Sequence, residues 1–414
     1  MIPEEWHLTL LSTLFQGGGY FKDGDWIETK DQDPNGDVRL IQLADIGDGY
    51  FINKSSRFLT TQKASKLKCT FIDRGDILVA RMPEPLGRAC IFPGVGQKAV
   101  TVVDVCILKL DPNFDSKWLM FALNNPIFRN VIYSKATGTT RVRISKKNLQ
   151  SIEILLPPLS EQKRIAEILT SVDDAIQATE KVISQTKRVK QGLLQELFTR
   201  GIGHSKFKKT EIGEIPSGWA EKKLVDIALV NPRRVIPKGT VVKYVEMAAV
   251  SATDPSITHI LEREFKGSGS KFKNDDTLFA RITPCAQNGK TSFVNYLDSN
   301  ECGAGSTELI VLSPKESKCD PKYLYFLTRW DHIRSYAISK MEGTSGRQRV
   351  PARVFSEINL GVPPLPEQKR IAEILTSADD AVQVAEKVLE QTKRVKQGLL
   401  QDLLTGRVRT SGVP

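Results

Sequence analysis

The stretch PPLSEQKRIAEILTSVDDAIQATEKVISQTKRVKQGLLQELFT, Pro157 to Thr199, returns 206 positions later as PPLPEQKRIAEILTSADDAVQVAEKVLEQTKRVKQGLLQDLLT, Pro363 to Thr405. Of the 43 aligned positions, 34 are identical. Alternate steps of four and three residues from Ile165 pass through Leu169, Val172, Ile176, Ile183, Leu193 and Leu197. The second copy gives Ile371, Leu375, Val382, Leu389, Leu399 and Leu403, with Lys190 and Lys396 as matching polar interruptions. A period of 3.5 held for about 33 residues predicts a coiled-coil seam rather than a strand or an ordinary amphipathic helix. Pro157-Pro158 and Pro363-Pro364 block helix upstream, and Gly201 and Gly406 can end it. A helix of about 38 residues is about 57 Å long. Alone it leaves its apolar stripe wet, and the near-identical copy supplies a partner. For each helix to follow its own globular domain, the pair runs antiparallel, with two-fold pseudosymmetry inside one chain.

Several residues read as outward-facing also repeat: Lys163-Arg164, Asp173-Asp174, Lys187-Arg188 and Gln191 return at 369–370, 379–380, 393–394 and 397. Seam packing does not demand that sameness. A partner bound alike at two places does, and a recent duplication also leaves it.

The flanking stretches are more distant copies of each other. Ile2-Pro3-x-x-Trp6 reappears as Ile215-Pro216-x-x-Trp219, and Gly75-Asp76-Ile77-Leu78-Val79-Ala80-Arg81 parallels Asp275-Asp276-Thr277-Leu278-Phe279-Ala280-Arg281. Short β-rich runs at 76–80, 99–108 and 308–312 alternate with turns, and helical patterns fall at 117–124 and 321–327. The fold class is therefore α+β, with an internal repeat. Its expected segments are a first domain at 1–157, a helix at 158–200, a second domain at 201–363, and a second helix with the tail at 364–408.

Two basic loops recur in these domains. One runs from Arg81 to Arg88, matched by Arg281 to Lys290. The other is Gly138-Thr139-Thr140-Arg141-Val142-Arg143, matched by Gly343-Thr344-Ser345-Gly346-Arg347-Gln348-Arg349. Arginine forks suit guanine edges, lysines and hydroxyls suit phosphates, and glycine lets backbone approach closely. DNA contact and a turn required by the fold both account for them.

Charge supports a polyanion partner. Residues 1–160 carry 20 basic and 17 acidic side chains, and residues 200–366 carry 25 and 18, whereas the first helix balances at six of each. The excess of the +11 net charge thus sits on the domains and tail. Metal and catalytic motifs fail. The six cysteines form no CxxC pair and the four histidines are scattered, so no zinc site is expected and a reducing compartment is. Gly289-Lys290-Thr291 lacks the leading glycine of a phosphate loop, which is Pro284, and HExxH and GxSxG are absent. No apolar run reaches membrane-spanning length and the N-terminus does not read as a secretory signal, so the expected address is the cytoplasm.

The duplicated PP-L-x-EQKRIAEIL block, with the GDILVAR and GTTRVRIS segments, resembles the specificity subunit of type I restriction–modification systems. The resemblance covers essentially the whole chain. It implies two target-recognition domains, each reading half of an interrupted sequence in double-stranded DNA, and two antiparallel helices that space them. It further implies two methyltransferase subunits docked on those helices, restriction subunits joining that core, and one copy of this chain per complex. Catalysis is expected from the partners, which take S-adenosylmethionine, ATP and magnesium, and no cofactor is expected here. The recognition role carries over to Arg81, Arg88, Thr139, Thr140, Arg141 and Arg143, and to Arg281, Lys290, Thr344, Ser345, Arg347 and Arg349. The seam residues named above and the repeated surface set carry subunit docking. Three rival readings remain: a specificity subunit for a fused methyltransferase–nuclease, a scaffold that binds no nucleic acid, and a stand-alone enzyme.

Overall fold

A computed structural model describes residues 3–410, so Ile2 of the Ile-Pro-x-x-Trp repeat lies outside the described residues. Two long helices, Leu159–Thr199 and Leu365–Leu404, occupy the repeated stretches. Two compact units result, 3–178 with 389–410 and 179–388. They do not follow the segment boundaries read from sequence. Each contains one globular domain, the first half of the helix that follows it, and the second half of the other helix.

In the first unit an antiparallel sheet runs in the order Tyr20–Asp23, Val105–Lys109, Ile77–Ala80, Ala89–Ile91. A second sheet orders Arg57–Leu59, Val38–Ile41 and Ala99–Thr101, the last two parallel. The second unit repeats this plan. Ala228–Val230, Leu309–Pro314, Thr277–Ala280 and Thr291–Phe293 form one sheet. Leu261–Glu264, Val241–Val245, Gly303–Gly305 and Ser270–Phe272 form the other, again with one parallel pair. The Ile77–Ala80 and Thr277–Ala280 strands are buried at every position, with side chains apolar except for Thr277, because both faces are covered. A terminal ribbon closes each domain, His7–Leu10 with Glu153–Leu156 and Ala220–Lys223 with Asn359–Val362.

Each core is completed by both helices. Ile165, Ala166, Leu169 and Leu403 join the first, and Leu194, Leu197, Phe198, Ile371 and Leu375 join the second. Within each unit the helices run antiparallel: Lys187 meets Glu386 at 2.6 Å while Lys190 meets Asp379, and in the first unit Asp173 meets Lys396 at 2.5 Å. Asp173 and Lys187 therefore do not belong to a purely outward set. The pairs Asp173–Lys396 and Lys190–Asp379 are the same contact made twice, since each residue is its counterpart shifted by 206 positions. A polar residue at a seam position costs stability and fixes register.

The repeated Glu-Gln after the proline pair also finds its reason. Trp6 Nε1 donates to Glu161 at 2.8 Å, and Trp219 Nε1 donates to Glu367 at 3.0 Å. Both indoles are buried, and truncation of such a side chain costs about 3–5 kcal/mol. Gln162 donates to the Pro157 carbonyl and accepts from the Asp115 amide; Gln368 does the same with Pro363 and Asp320. Asp115 and Asp320 in turn cap the helices Ser116–Asn124 and Pro321–Arg329. Gly201 and Gly406 end the long helices at φ +67° and +71°. A side chain at Gly201 meets Trp219, and one at Gly406 meets Pro3. Among the described residues no helix is long and apolar enough to cross a membrane.

Candidate nucleic-acid interface

In each unit the chain leaving the second of two short helices makes a small hairpin before entering the terminal ribbon. Thr137 and Arg143 bridge its base in the first unit, Glu342 and Arg349 in the second. Gly138 and Gly343 turn it at φ +100° and +119°, where a side chain would be strained. One ion pair secures each hairpin to the strand entry beside it: Arg143 to Asp104 at 3.2 Å, and Arg349 to Glu308 at 2.7 Å. Asp104 and Glu308 hold corresponding places, because their carbonyls accept from the amides of Arg81 and Arg281.

This anchoring leaves Thr139, Thr140 and Arg141 exposed at one tip and Thr344, Ser345 and Arg347 at the other. Each tip thus offers hydroxyls and one unpaired arginine among the described residues, with Arg143 and Arg349 half-committed at the base.

The other sequence-predicted cations lie elsewhere. Arg81 is 6% exposed, donating from Nε to the Ile144 carbonyl at 2.9 Å and pairing with Asp23. Arg88 is 7% exposed and donates to the carbonyls of Ile46, Leu43, Met82 and Pro85. Lys290 donates to the Met247 carbonyl at 3.0 Å. A direct DNA contact does not fit Arg81 and Arg88, because their donors already hold the loops between strands and withdrawing them strands buried carbonyls; Lys290 spends one of its three donors in the same way. Arg281 differs, since its Nε is shielded from solvent and has no partner among the described residues.

Sequence reasoning missed the acidic partners Asp23, Asp104 and Glu308, and a group of cations beside Arg281, namely Arg233, Arg234 and Lys271. Pairing of Asp104 and Glu308 with the arginines was invisible because 39 and 41 residues separate the partners. The seam residues Ile165, Leu169, Ile176, Ile183, Leu197, Ile371, Leu375, Val382 and Leu403 are buried, and Val172, Leu193, Leu389 and Leu399 are partly so. They are turned to the interior of the units. Among the described residues no group of three or more His, Cys, Asp or Glu side chains is arranged to hold a metal ion.

The family model for the type I restriction modification DNA specificity domain matches residues 3–188 and again 216–394. The MjaVIII type I restriction enzyme specificity subunit of Methanocaldococcus jannaschii is 26% identical over 435 residues, covering 100% of this chain and 95% of the relative. The EcoAI specificity subunit of Escherichia coli is 32% identical over 163 residues, 38% of this chain and 27% of that one. Among solved structures, the type I S subunit from M. genitalium superposes with a TM-score of 0.58 at 17% identity, covering 97% and 96% of the two chains. A chain from a type I R-M system studied for complex assembly and conformational transition gives 0.58 at 16% identity, covering 99% and 100%. The duplicated domain plan, the paired helices and the family model matching twice place this chain in the type I restriction–modification specificity family, as the non-catalytic DNA-specificity subunit of an enzyme whose cofactors reside on its modification and restriction subunits.

Proposed function

We propose that the two domains read the two halves of an interrupted duplex target through their hairpin tips, with Thr139, Thr140 and Arg141 serving one half and Thr344, Ser345 and Arg347 the other. Arg143 and Arg349 orient the tips, while Arg81, Arg88 and Lys290 brace the loops behind them. The observation that carries this reading is one hairpin, fixed by one ion pair, built twice on domains whose tips differ in sequence. A common frame with unlike tips is what two different half-sites require.

The long helices set the number of unread base pairs between the halves and carry the modification subunits. Support for docking comes from Val182 and Val189, 51% and 60% exposed, and from their repeats Val388 and Val395, 44% and 56% exposed. Apolar side chains seven residues apart on an outer helix face, rimmed by Arg188 and Gln191 and their repeats, suit a protein partner. Because the surface occurs twice, two modification subunits bind one copy of this chain, restriction subunits join that core, and the complex works on DNA in the cytoplasm.

Methylation mapping of cells carrying the modification subunit, with and without this chain, tests the proposal. An interrupted adenine-methylation motif that appears only with this chain is the expected result. Methylation of the same motif without it contradicts the reading.

A further inference from the structure

Arg81 and Arg281 end the same strand in the two units, yet their surroundings are opposite. Arg81 is met by Asp23, the last residue of the edge strand Tyr20–Asp23, one strand away across Val105–Lys109. In the second unit the corresponding edge strand stops at Val230, and the chain continues as Asn231-Pro232-Arg233-Arg234. No carboxylate reaches Arg281, whose Nε is enclosed without an acceptor among the described residues.

Arg281 lines a cleft of about 320 Å³, with Arg233, Arg234, Lys271 and the exposed Thr307. The cleft wall contains no Asp or Glu. Arg234 is held by Asp276 and Ser313 behind the wall, and Lys271 Nζ donates to the Arg234 carbonyl at 2.9 Å, so this side of the cleft is braced. Arg233 is exposed and, like Arg281, enters no ion pair among the described residues. The cleft adjoins the hairpin, because the Arg281 carbonyl accepts from the Val350 amide at 2.8 Å and Glu308, beside Thr307, holds Arg349.

In the first unit the cleft formed by the chain leaving the edge strand and the turn at 102–104 has about 440 Å³. Its wall carries Asp25, Glu28, Asp104 and the exposed Trp26, and no Lys or Arg. Anionic oxygen is repelled there and attracted in the second unit.

We propose that the cleft of the second unit is a phosphate site, in which Arg281 and Arg233 take one phosphate of the DNA backbone, and that the first unit has no counterpart. The site rests on the DNA-reading function proposed above and makes that function electrostatically lopsided. Arg281 is then a positioning residue: it fixes register on the duplex and leaves the base sequence to the hairpin tips.

The test uses the complex of this chain with its modification subunit, and fluorescence anisotropy on a duplex carrying the mapped target and on a scrambled duplex, across a salt series. Arg281→Gln and Arg233→Gln each weaken both duplexes by the same factor, about tenfold. Each also reduces the slope of log K against log salt by about 0.9, the value for one phosphate on B-DNA. A neutral methylphosphonate at one position of the half-site read by the second unit reproduces the loss in the wild type and adds nothing to Arg281→Gln. Arg81→Gln lowers the melting temperature and leaves the slope unchanged. An altered base preference with an unchanged slope overturns the phosphate assignment, and so does an unchanged affinity. Should Arg281→Gln fail to fold, the exposed Arg233→Gln carries the same measurement. If the wild-type complex prefers no interrupted target, the DNA-reading function itself has failed, which is a distinct result.

Discussion

The two units agree wherever the chain packs on itself and disagree in their clefts and at their hairpin tips. Both repeat the Trp–Glu contact, the Gln cap, the hairpin ion pair and the Asp–Lys contact between helices. Their clefts, by contrast, have walls of opposite charge. Duplication has been kept in the scaffold and along the helices, and lost in the clefts and at the hairpin tips. Even the repeated contacts differ in depth, and that difference can be measured.

The largest effect is expected at the helix seam. The side chains of Lys190 and Asp379 are 11% and 7% exposed, whereas those of Lys396 and Asp173 are 23% and 21% exposed. Burial lowers the Lys190 pKa from its ordinary value even though Asp379 opposes the shift. Lys190→Met leaves a carboxylate buried alone and costs about 3–5 kcal/mol. The equivalent Lys396→Met costs about 1 kcal/mol. Urea denaturation decides, and equal losses mean that the difference in burial has no energetic weight.

Next come the Trp–Glu contacts. Glu161 also receives Arg409 at 2.9 Å and the Thr410 amide, while Glu367 receives His204 at 2.8 Å and the Ile202 amide. Glu161→Ala therefore releases a permanent cation as well as an indole, and should cost about 2–3 kcal/mol. Glu367→Ala should cost less, since it releases no permanent cation. Thermal melts of the two variants give the order, and the reverse order removes Arg409 from the account.

A smaller effect follows from titration. Burial pushes the Glu161 carboxyl up, but hydrogen bonds from Arg409, Trp6 and Thr410 outweigh it and hold the group below its usual range. A depressed carboxyl stabilises the folded state fully above its unfolded value of about 4.3, and that contribution is lost as pH falls through the lower folded value. Melting temperatures followed downward from pH 6 should fall more steeply for the wild type than for Glu161→Gln. Parallel curves contradict the assignment.

The smallest change in stability is expected at the hairpins. Arg143→Gln and Arg349→Gln each remove a partly exposed, solvent-screened pair and should leave the melting temperature close to that of the wild type. Binding of the target duplex should nonetheless fall in both, because the tips lose their anchor. Unchanged binding in either variant separates that hairpin from DNA.

The helices were legible because their pattern is local. Seam spacing and bracketing prolines and glycines predicted 158–200, and the helix runs Leu159–Thr199. Strand limits were less so: the run at 99–108 is two strands in different sheets, Ala99–Thr101 and Val105–Lys109, with a turn between them. An apolar run shows burial and does not show which sheet buries it. The site divided in the same way. The hairpin tips were visible from glycine, hydroxyl and arginine in sequence. The inward turn of Arg81 and Arg88 was not, because the Ile144 and Ile46 carbonyls that receive them lie 63 and 42 residues away. The basic cleft was hidden as well, since its wall is assembled from separate segments around 233, 271, 281 and 307.

The central claim is that two unlike readers are spaced by two matching helices, and helix length tests it most directly. Seven residues added to each long helix extend it by about 10.5 Å, close to three base pairs at 3.4 Å each. Methylation mapping of that variant complex should return both original half-sites separated by about three more unspecified base pairs. Both half-sites returned at the original separation would contradict the account.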